Sequence, residues 1–245
     1  MCVNTDINSY ILHFLQIEDV LSFCSTCKAN ITRNFAVKHN NIHDITKSKD
    51  VIVFVPVDIH LYDITFKNIS KIIISAQNTF TLHNAVFQNC SLFFKNVNFA
   101  VESTIQVTSS LILLSNSNIQ AINVIKRIFF TNSSRLILNK TQMFGLSSLI
   151  KCNHSILIIT SSNLNMEWTK IPLIVLRLSS LSCCDSSLNG GNVGIFINGR
   201  PLHFMLNKVT FHRNNGVELY RCRLPDYSSI TNCKQDIIIH TYMLR

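Results

Sequence analysis

A six-residue motif recurs along most of the chain and constrains its fold more than any other feature. Each copy opens on an apolar residue or a cysteine and closes on a large apolar residue, and most carry Asn, Asp or Ser between them. The clearest copy is Leu82-His83-Asn84-Ala85-Val86-Phe87. The copies close at Phe66, Phe87, Phe99, Ile119, Met143, Leu164, Leu188 and Phe211. Apart from one step of 12 residues, from Phe87 to Phe99, successive copies close 20 to 24 residues apart. This period is typical of repeat proteins and predicts one coil of a β-solenoid per copy.

Short β-rich segments separated by Asn and Ser fill the region from Val51 onward. The first, Val51 to Val55, is apolar and β-branched and ends at Pro56, as expected of a buried strand. Asn-Gly turns, which mark hairpins, occur only late in the chain, and no long helical pattern separates the strands. We therefore predict a mainly β fold, a right-handed parallel β-helix over residues 50–245 with a cap at its C-terminal end. The short step leads us to expect that one of the copies closing at Phe87 and Phe99 lies at a corner.

The first 46 residues follow a helical period instead. Apolar residues recur at spacings of three and four, first from Ile7 to Leu15 and again from Val20 to Cys27. Asp6 can cap the first helix, and Glu18 and Asp19 stand favourably at the start of the second. The sequence thus predicts a small helical hairpin within residues 1–46.

The composition limits which partners and which cellular compartment are expected for this chain. Net charge is +9, with 22 Lys and Arg against 13 Asp and Glu, and such a balance suits nucleic acid or an acidic protein. The excess reflects missing carboxylates more than dense basic runs, so we expect nucleic acid to be an unlikely partner. The N-terminus lacks the pattern of a secretory signal and no apolar run reaches the length of a membrane span. We therefore expect no membrane partner and a reducing compartment, with nine free Cys.

Residues that could carry catalysis are sparse. A sugar-cleaving β-helix needs clustered carboxylates, whereas Asp58, Asp63 and Asp185 are scattered and are expected to be turn and cap residues. Cys152 and His154 stand two apart, which can place both on one face of a strand, but no third group orients them. We therefore predict that the protein is not an enzyme.

The cysteine and histidine residues suggest a zinc site as an alternative role for these side chains. Candidate ligands are Cys152, His154, Cys183, Cys184, His203, His212, Cys222, Cys233 and His240. The one Cys-x-x-Cys pair, Cys24 and Cys27, lies in a predicted helix with no second pair at finger spacing. Buried structural cysteines are the favoured interpretation, and no cofactor is expected.

The N-terminal helices resemble an F-box. Matching positions are Ile11-Leu12, Phe14-Leu15, Asp19-Val20-Leu21 and Cys27-Lys28, whereas Asn8 and Gln16 replace the usual prolines. The resemblance implies binding to Skp1, the adaptor of cullin-based ubiquitin ligases, by an apolar helical face in a groove. The residues expected on that face are Ile7, Ile11, Leu12, Phe14, Leu15, Val20, Leu21, Cys24 and Lys28. The rival interpretation is an ordinary amphipathic cap on the solenoid.

The C-terminal end resembles a second family, the adenoviral early-region-four 34K proteins. Three segments carry the likeness, at 200–206, 218–223 and 237–242, and Cys183-Cys184 fits the Cys-rich stretch of that family. Its classical members lack an F-box, and their elongin-binding boxes are not identifiable here. Together the two resemblances suggest a viral F-box protein of the atadenovirus type.

These observations predict a viral substrate adaptor that recruits host proteins to a Skp1-containing cullin ligase for degradation, in the host nucleus or cytoplasm. Its expected partners are Skp1 with the host cullin ligase, host target proteins and a viral co-adaptor. Two alternatives stay open. One is a structural or interaction β-helix of a virus without a ligase role, and the other is a basic nucleic-acid-binding module.

Overall fold

The computed structural model describes residues 35–36, 51–55, 59–63, 65–67, 72–76, 79–122, 127–167, 170–220, 222–224, 228–233 and 239–242. The predicted helical hairpin and all nine residues of the predicted Skp1 face lie outside these residues. Within the described part of the chain, no helix is long and apolar enough to cross a membrane.

Every strand is short. The strands are β1 (Phe35–Ala36), β2 (Val51–Val55), β3 (Ile59–Tyr62), β4 (Thr65–Lys67), β5 (Ile72–Ala76), β6 (Thr79–His83), β7 (Val86–Gln88), β8 (Ser91–Lys95), β9 (Asn98–Val101), β10 (Ile105–Thr108), β11 (Leu111–Ser115), β12 (Asn118–Ala121), β13 (Phe129–Asn132), β14 (Arg135–Asn139), β15 (Gln142–Gly145), β16 (Ile150–Asn153), β17 (Ile156–Thr160), β18 (Asn163–Met166), β19 (Ile174–Arg177), β20 (Ser180–Cys184), β21 (Ser187–Asn189), β22 (Ile195–Asn198), β23 (Phe204–Asn207), β24 (Thr210–His212), β25 (Val217–Tyr220), β26 (Ser229–Thr231) and β27 (Ile239–Tyr242).

The strands stack into three parallel sheets that form the sides of a solenoid. Sheet A has the order β1-β3-β6-β9-β12-β15-β18-β21-β24, sheet B the order β2-β5-β8-β11-β14-β17-β20-β23-β26, and sheet C the order β4-β7-β10-β13-β16-β19-β22-β25-β27. From β2 to β26 the chain visits B, then A, then C in every coil, and each strand pairs in parallel with the equivalent strand of the next coil. The predicted parallel β-helix is confirmed.

Each copy of the six-residue motif spans a corner between two strands. The copies closing at Phe66 and Phe87 cross from sheet A to sheet C, whereas the copy closing at Phe99 and all later ones cross from sheet B to sheet A. The short step is therefore a change of corner and not a short coil. From β8 to β24 the B–A corner always has two residues, while the A–C connection grows to seven residues between β12 and β13. The six-residue motif is lost at the A–C corner, where residues are added, and it persists at the B–A corner, where the length is constant.

Left-handed backbone makes the two-residue corners. The first corner residue has positive φ in coil after coil, for example Asn96 at 57° and Asn116 at 51°. Asn tolerates this region better than other side chains because its short polar group bonds locally. The second corner residue points inward, and it is small at most positions, as in Ser117, Ser162 and Ser186. This explains the Asn and Ser content of the motif.

Buried hydroxyls satisfy the backbone at the C–B corner. The corner residues Cys90, Ser110, Ser134, Ser155 and Ser179 form a column along the axis. The N–H of Ser110 donates to Ser134 Oγ at 3.1 Å, and the N–H of Ser134 donates to Ser155 Oγ at 3.2 Å. Each hydroxyl also donates to a carbonyl two residues earlier, for example Ser134 to Asn132 at 2.7 Å. Backbone groups that no strand can pair at a corner are thereby paired inside the coil.

Alternate residues of each strand fill the interior. In β14, for example, Leu136 and Leu138 are fully buried while Arg135 and Ile137 face outward. Toward the N-terminal coils the interior is aromatic, where the Phe94 and Phe99 rings meet edge to face at 5.0 Å. In the central coils it is aliphatic, and the buried apolar residues, with the exception of Val193, form one continuous core. The outer faces are therefore the part of the fold available for function.

Candidate interaction surfaces

The outer face of sheet A is lined with amides and hydroxyls. Asn98, Asn118, Gln142, Asn163, Ser187 and Thr210 stand in register on successive strands. Most of them are exposed, and related amides bond along the axis, such as Asn189 Nδ2 to Asn165 Oδ1 at 2.9 Å. Such a face is well solvated, and Phe144 of β15, 40% exposed, is the large apolar side chain that interrupts it.

Sheet B carries an apolar row on its outside. Phe93, Leu113, Ile137 and Ile158 stand in register on four successive strands, and all are half-buried. Leu111 and Ile156 flank the row, the latter with 38% of its surface exposed. With strands about 4.8 Å apart, the four residues span roughly 14 Å along the axis. Outward strand positions are normally polar, so a contiguous apolar row there is a candidate interaction surface.

An open groove borders this row at the C–B corner. Its volume is about 600 Å³, and its lining includes Ser109, Ser133, Arg135, His154 and Ile156. Arg135 stands in register between Leu111 and Ile156 in this lining, and His154 lies at the corner beside them. The groove therefore extends the apolar surface with hydrogen-bond donors.

Sheet C carries cations and aromatic rings on its outside. Arg127 and Lys151 stand against the ring of Phe130, with Cζ and Nζ at 5.5 and 5.8 Å from its centroid. Burial lowers the pKa of the Lys151 ammonium, and the positive charges of Arg127 and Arg177 lower it further. The rings of Phe196 and Tyr220 stack at 6.2 Å on the same sheet.

Cys152 and His154, the two residues whose spacing best suited a nucleophile with its base, lie apart in the structure. Cys152 points into the core and is fully buried, whereas His154 sits at the C–B corner with a φ of 46° and lines the groove. The corner breaks the strand alternation, so the spacing of two residues does not place the two side chains on one face. Burial raises the pKa of the Cys152 thiol to about 12, which leaves it protonated and unreactive at neutral pH.

The proposed zinc ligands are likewise dispersed. Cys183 lies in the core, where burial raises its pKa to about 12, and Cys184 next to it faces outward. Burial also raises the pKa of the Cys222 thiol. Within the described ranges, no three His, Cys, Asp or Glu side chains come together as a metal site would require. The described cysteines are free thiols.

Two of the predicted turn aspartates are turn residues. Asp63 and Asp185 each occupy a corner with positive φ. Asp63 accepts a hydrogen bond from Asn84 Nδ2 at 2.7 Å, and Asp185 lies 3.7 Å from Lys208 Nζ. Asp58 lies outside the described residues. The two described aspartates stand at different corners, A–C and B–A, and do not form a catalytic pair.

Two of the 34K-like segments meet in the fold. Strand β27 pairs with β25, so that Val217 stands beside Ile239 and Tyr220 beside Tyr242. The third segment ends in β23 on sheet B. The segments thus belong to the last coils of the solenoid, where the C-terminal cap was expected.

Fold and surfaces together define a three-sided parallel β-helix with one amide, one apolar and one basic aromatic face. No protein-family model, no curated protein and no solved structure matches the chain. The surfaces of sheets B and C are candidate interaction surfaces, and none of their residues was among the predicted partner-binding residues.

Proposed function

We propose that the protein is a non-catalytic viral substrate adaptor. In this proposal the F-box-like segment at 7–28 binds Skp1, and the β-helix holds a host target protein against the outer face of sheet B. A target held in this way would be ubiquitinated by proximity, because tethering raises its local concentration near the ligase.

The apolar row of Phe93, Leu113, Ile137 and Ile158 is the observation that carries the proposal. Its members lie on paired strands and are half-buried, so covering them with a partner costs little further conformational entropy. The flanking Arg135 and His154 supply polar contacts at the rim, as in many protein interfaces. Dispersed carboxylates and protonated thiols support a binding role over a catalytic one.

The test uses the full chain, tagged and expressed with Skp1 in host cells. Leu15→Asp with Leu21→Asp should abolish recovery of Skp1 and leave target capture intact. Ile137→Lys with Ile158→Lys should do the reverse, because two charges enter the centre of the apolar row. The level of the captured host protein should fall with the wild type and with neither double variant.

The matched control for the sheet B variant lies on sheet A. Gln142→Lys with Asn163→Lys adds the same charge to neighbouring strands in the same register relation, and it should retain both partners. Far-UV circular dichroism checks that each variant folds. Absence of Skp1 from wild-type complexes would contradict the ligase role and leave an interaction β-helix. Equal losses with the control variant would contradict the assignment to sheet B.

A further inference from the structure

The outer face of sheet C concentrates positive charge on three neighbouring coils. Lys151 of β16 stands in register between Phe130 of β13 and Val175 of β19. Arg127 precedes β13 and approaches the Phe130 ring, and Arg177 ends β19. Strand spacing of about 4.8 Å and a diagonal step of about 7–8 Å place these three cations within one small patch.

No carboxylate neutralises this patch among the described residues. The ion contacts found among the described residues join His83 to Glu102 and Lys208 to Asp185, and both lie far from β16. The charges that act on Lys151 are those of Arg127 and Arg177, and both are repulsive. Three cations held together without a counter-charge gain from an anionic ligand that spans them.

Aromatic rings continue the patch along the axis. Phe196 stands in the same outward row as Phe130, three strands further on, at roughly 14 Å. It is half-buried and stacks on Tyr220 with an interplanar angle of 28°. Between β13 and β22 the row thus has one ring at each end and a cation between them, and it continues to Gln106 on one side and Glu218 on the other.

We propose that the outer face of sheet C binds single-stranded nucleic acid, with Arg127, Lys151 and Arg177 on phosphates and Phe130 and Phe196 as platforms for bases. Cations that track a backbone and aromatic faces that stack bases are the two elements of such sites. Among its described residues, the face has no protruding helix or ribbon to enter the major groove of a duplex. An acidic peptide would use the cations and leave the rings without a role. This binding goes beyond the adaptor function and does not depend on Skp1.

The test is fluorescence anisotropy of the full chain with labelled oligo-dT and oligo-U at several salt concentrations. Three phosphate contacts predict a log–log salt slope of about −2 for a single strand. Arg127→Gln, Lys151→Gln and Arg177→Gln together should weaken binding at least about tenfold and flatten the slope. Phe130→Thr and Phe196→Thr, which keep strand propensity, should each weaken binding about tenfold with the slope unchanged.

The matched control removes three other exposed cations. Lys95→Gln, Lys140→Gln and Lys208→Gln change net charge equally at the B–A edge and should leave affinity within about twofold. Equal weakening by the two triple variants would overturn the site in favour of non-specific attraction. Unchanged affinity in both Phe variants, with full competition by poly-glutamate, would overturn it in favour of an acidic peptide. Absence of binding at low salt would also overturn it. Circular dichroism and thermal unfolding establish that each variant is folded.

Discussion

Replacing Ser134 with Ala tests the hydroxyl column at the C–B corner. Ser134 Oγ accepts from the N–H of Ser110 and donates to the carbonyl of Asn132. The Ala variant leaves the buried Ser110 N–H without its partner, which costs about 1–3 kcal/mol. With a central value of about 2 kcal/mol, the midpoint of thermal unfolding should fall by roughly 4–8 °C for a chain of this size.

The assay pairs thermal unfolding by far-UV circular dichroism with amide hydrogen exchange. Because solenoids can open locally, exchange at Ser110 should accelerate more than exchange at distant corners such as Ser186. Ser134→Cys should cost less than Ser134→Ala, since Cys90 already occupies the first position of the column and donates to the Phe66 carbonyl at 3.1 Å.

The control is Ser115→Ala, whose side chain faces outward from β11. It should change the midpoint by less than about 1 °C, as surface substitutions usually do. If Ser134→Ala proves as mild as this control and the Ser110 amide stays protected from exchange, the hydroxyl column does not contribute to stability.

Two further predictions follow from burial and backbone geometry. The buried thiols of Cys152 and Cys183 have a pKa of about 12 against an ordinary value of 9.0. Above pH 9 the thiols ionise in the unfolded chain but not in the folded one. Their contribution to the free energy of unfolding is therefore fully present below pH 9 and is lost as pH rises toward 12. Urea titrations should show that the wild type is less stable at pH 10.5 than at pH 8, and that Cys152→Ala loses less stability between the two pH values. An equal loss of stability in Cys152→Ala would contradict this effect of the buried thiol. Gly190→Ala should destabilise the protein by more than about 2 kcal/mol, because Gly190 has a φ of +88° and an added Cβ would lie 1.9 Å from the Met166 carbonyl oxygen. Gly145→Ala, at an ordinary φ and with only flexible side chains close by, should cost less in the same unfolding assay.

The scaffold was predictable because each coil repeats the same local requirements. Large apolar residues such as Ile119 and Leu164 recur at the same inward position, and a small or polar residue recurs at the adjoining corner. The change of corner between Phe87 and Phe99 was not predictable from the spacing alone. A motif that spans a two-residue corner looks the same whichever two sheets it joins, and only the strand pairing distinguishes them.

The outer surfaces were harder to foresee. Continuous apolar runs such as Leu111 to Leu114 and Ile156 to Ile159 already place apolar residues on both faces of a strand, and this pattern could have indicated the apolar row. The cations of sheet C gave no comparable pattern. Arg127, Lys151 and Arg177 belong to different coils, and connections of unequal length between sheets A and C separate them. Their proximity depends on strand register, which the sequence does not display.

The constant two-residue corners between sheets B and A have a consequence for how this chain can vary. Since length differences are absorbed mainly between sheets A and C, a whole coil can be gained or lost without disturbing the stacking at the other edges. Each such event would lengthen or shorten all three faces together by one strand spacing, about 4.8 Å. The length of any binding face on the solenoid can therefore change only in whole strand spacings.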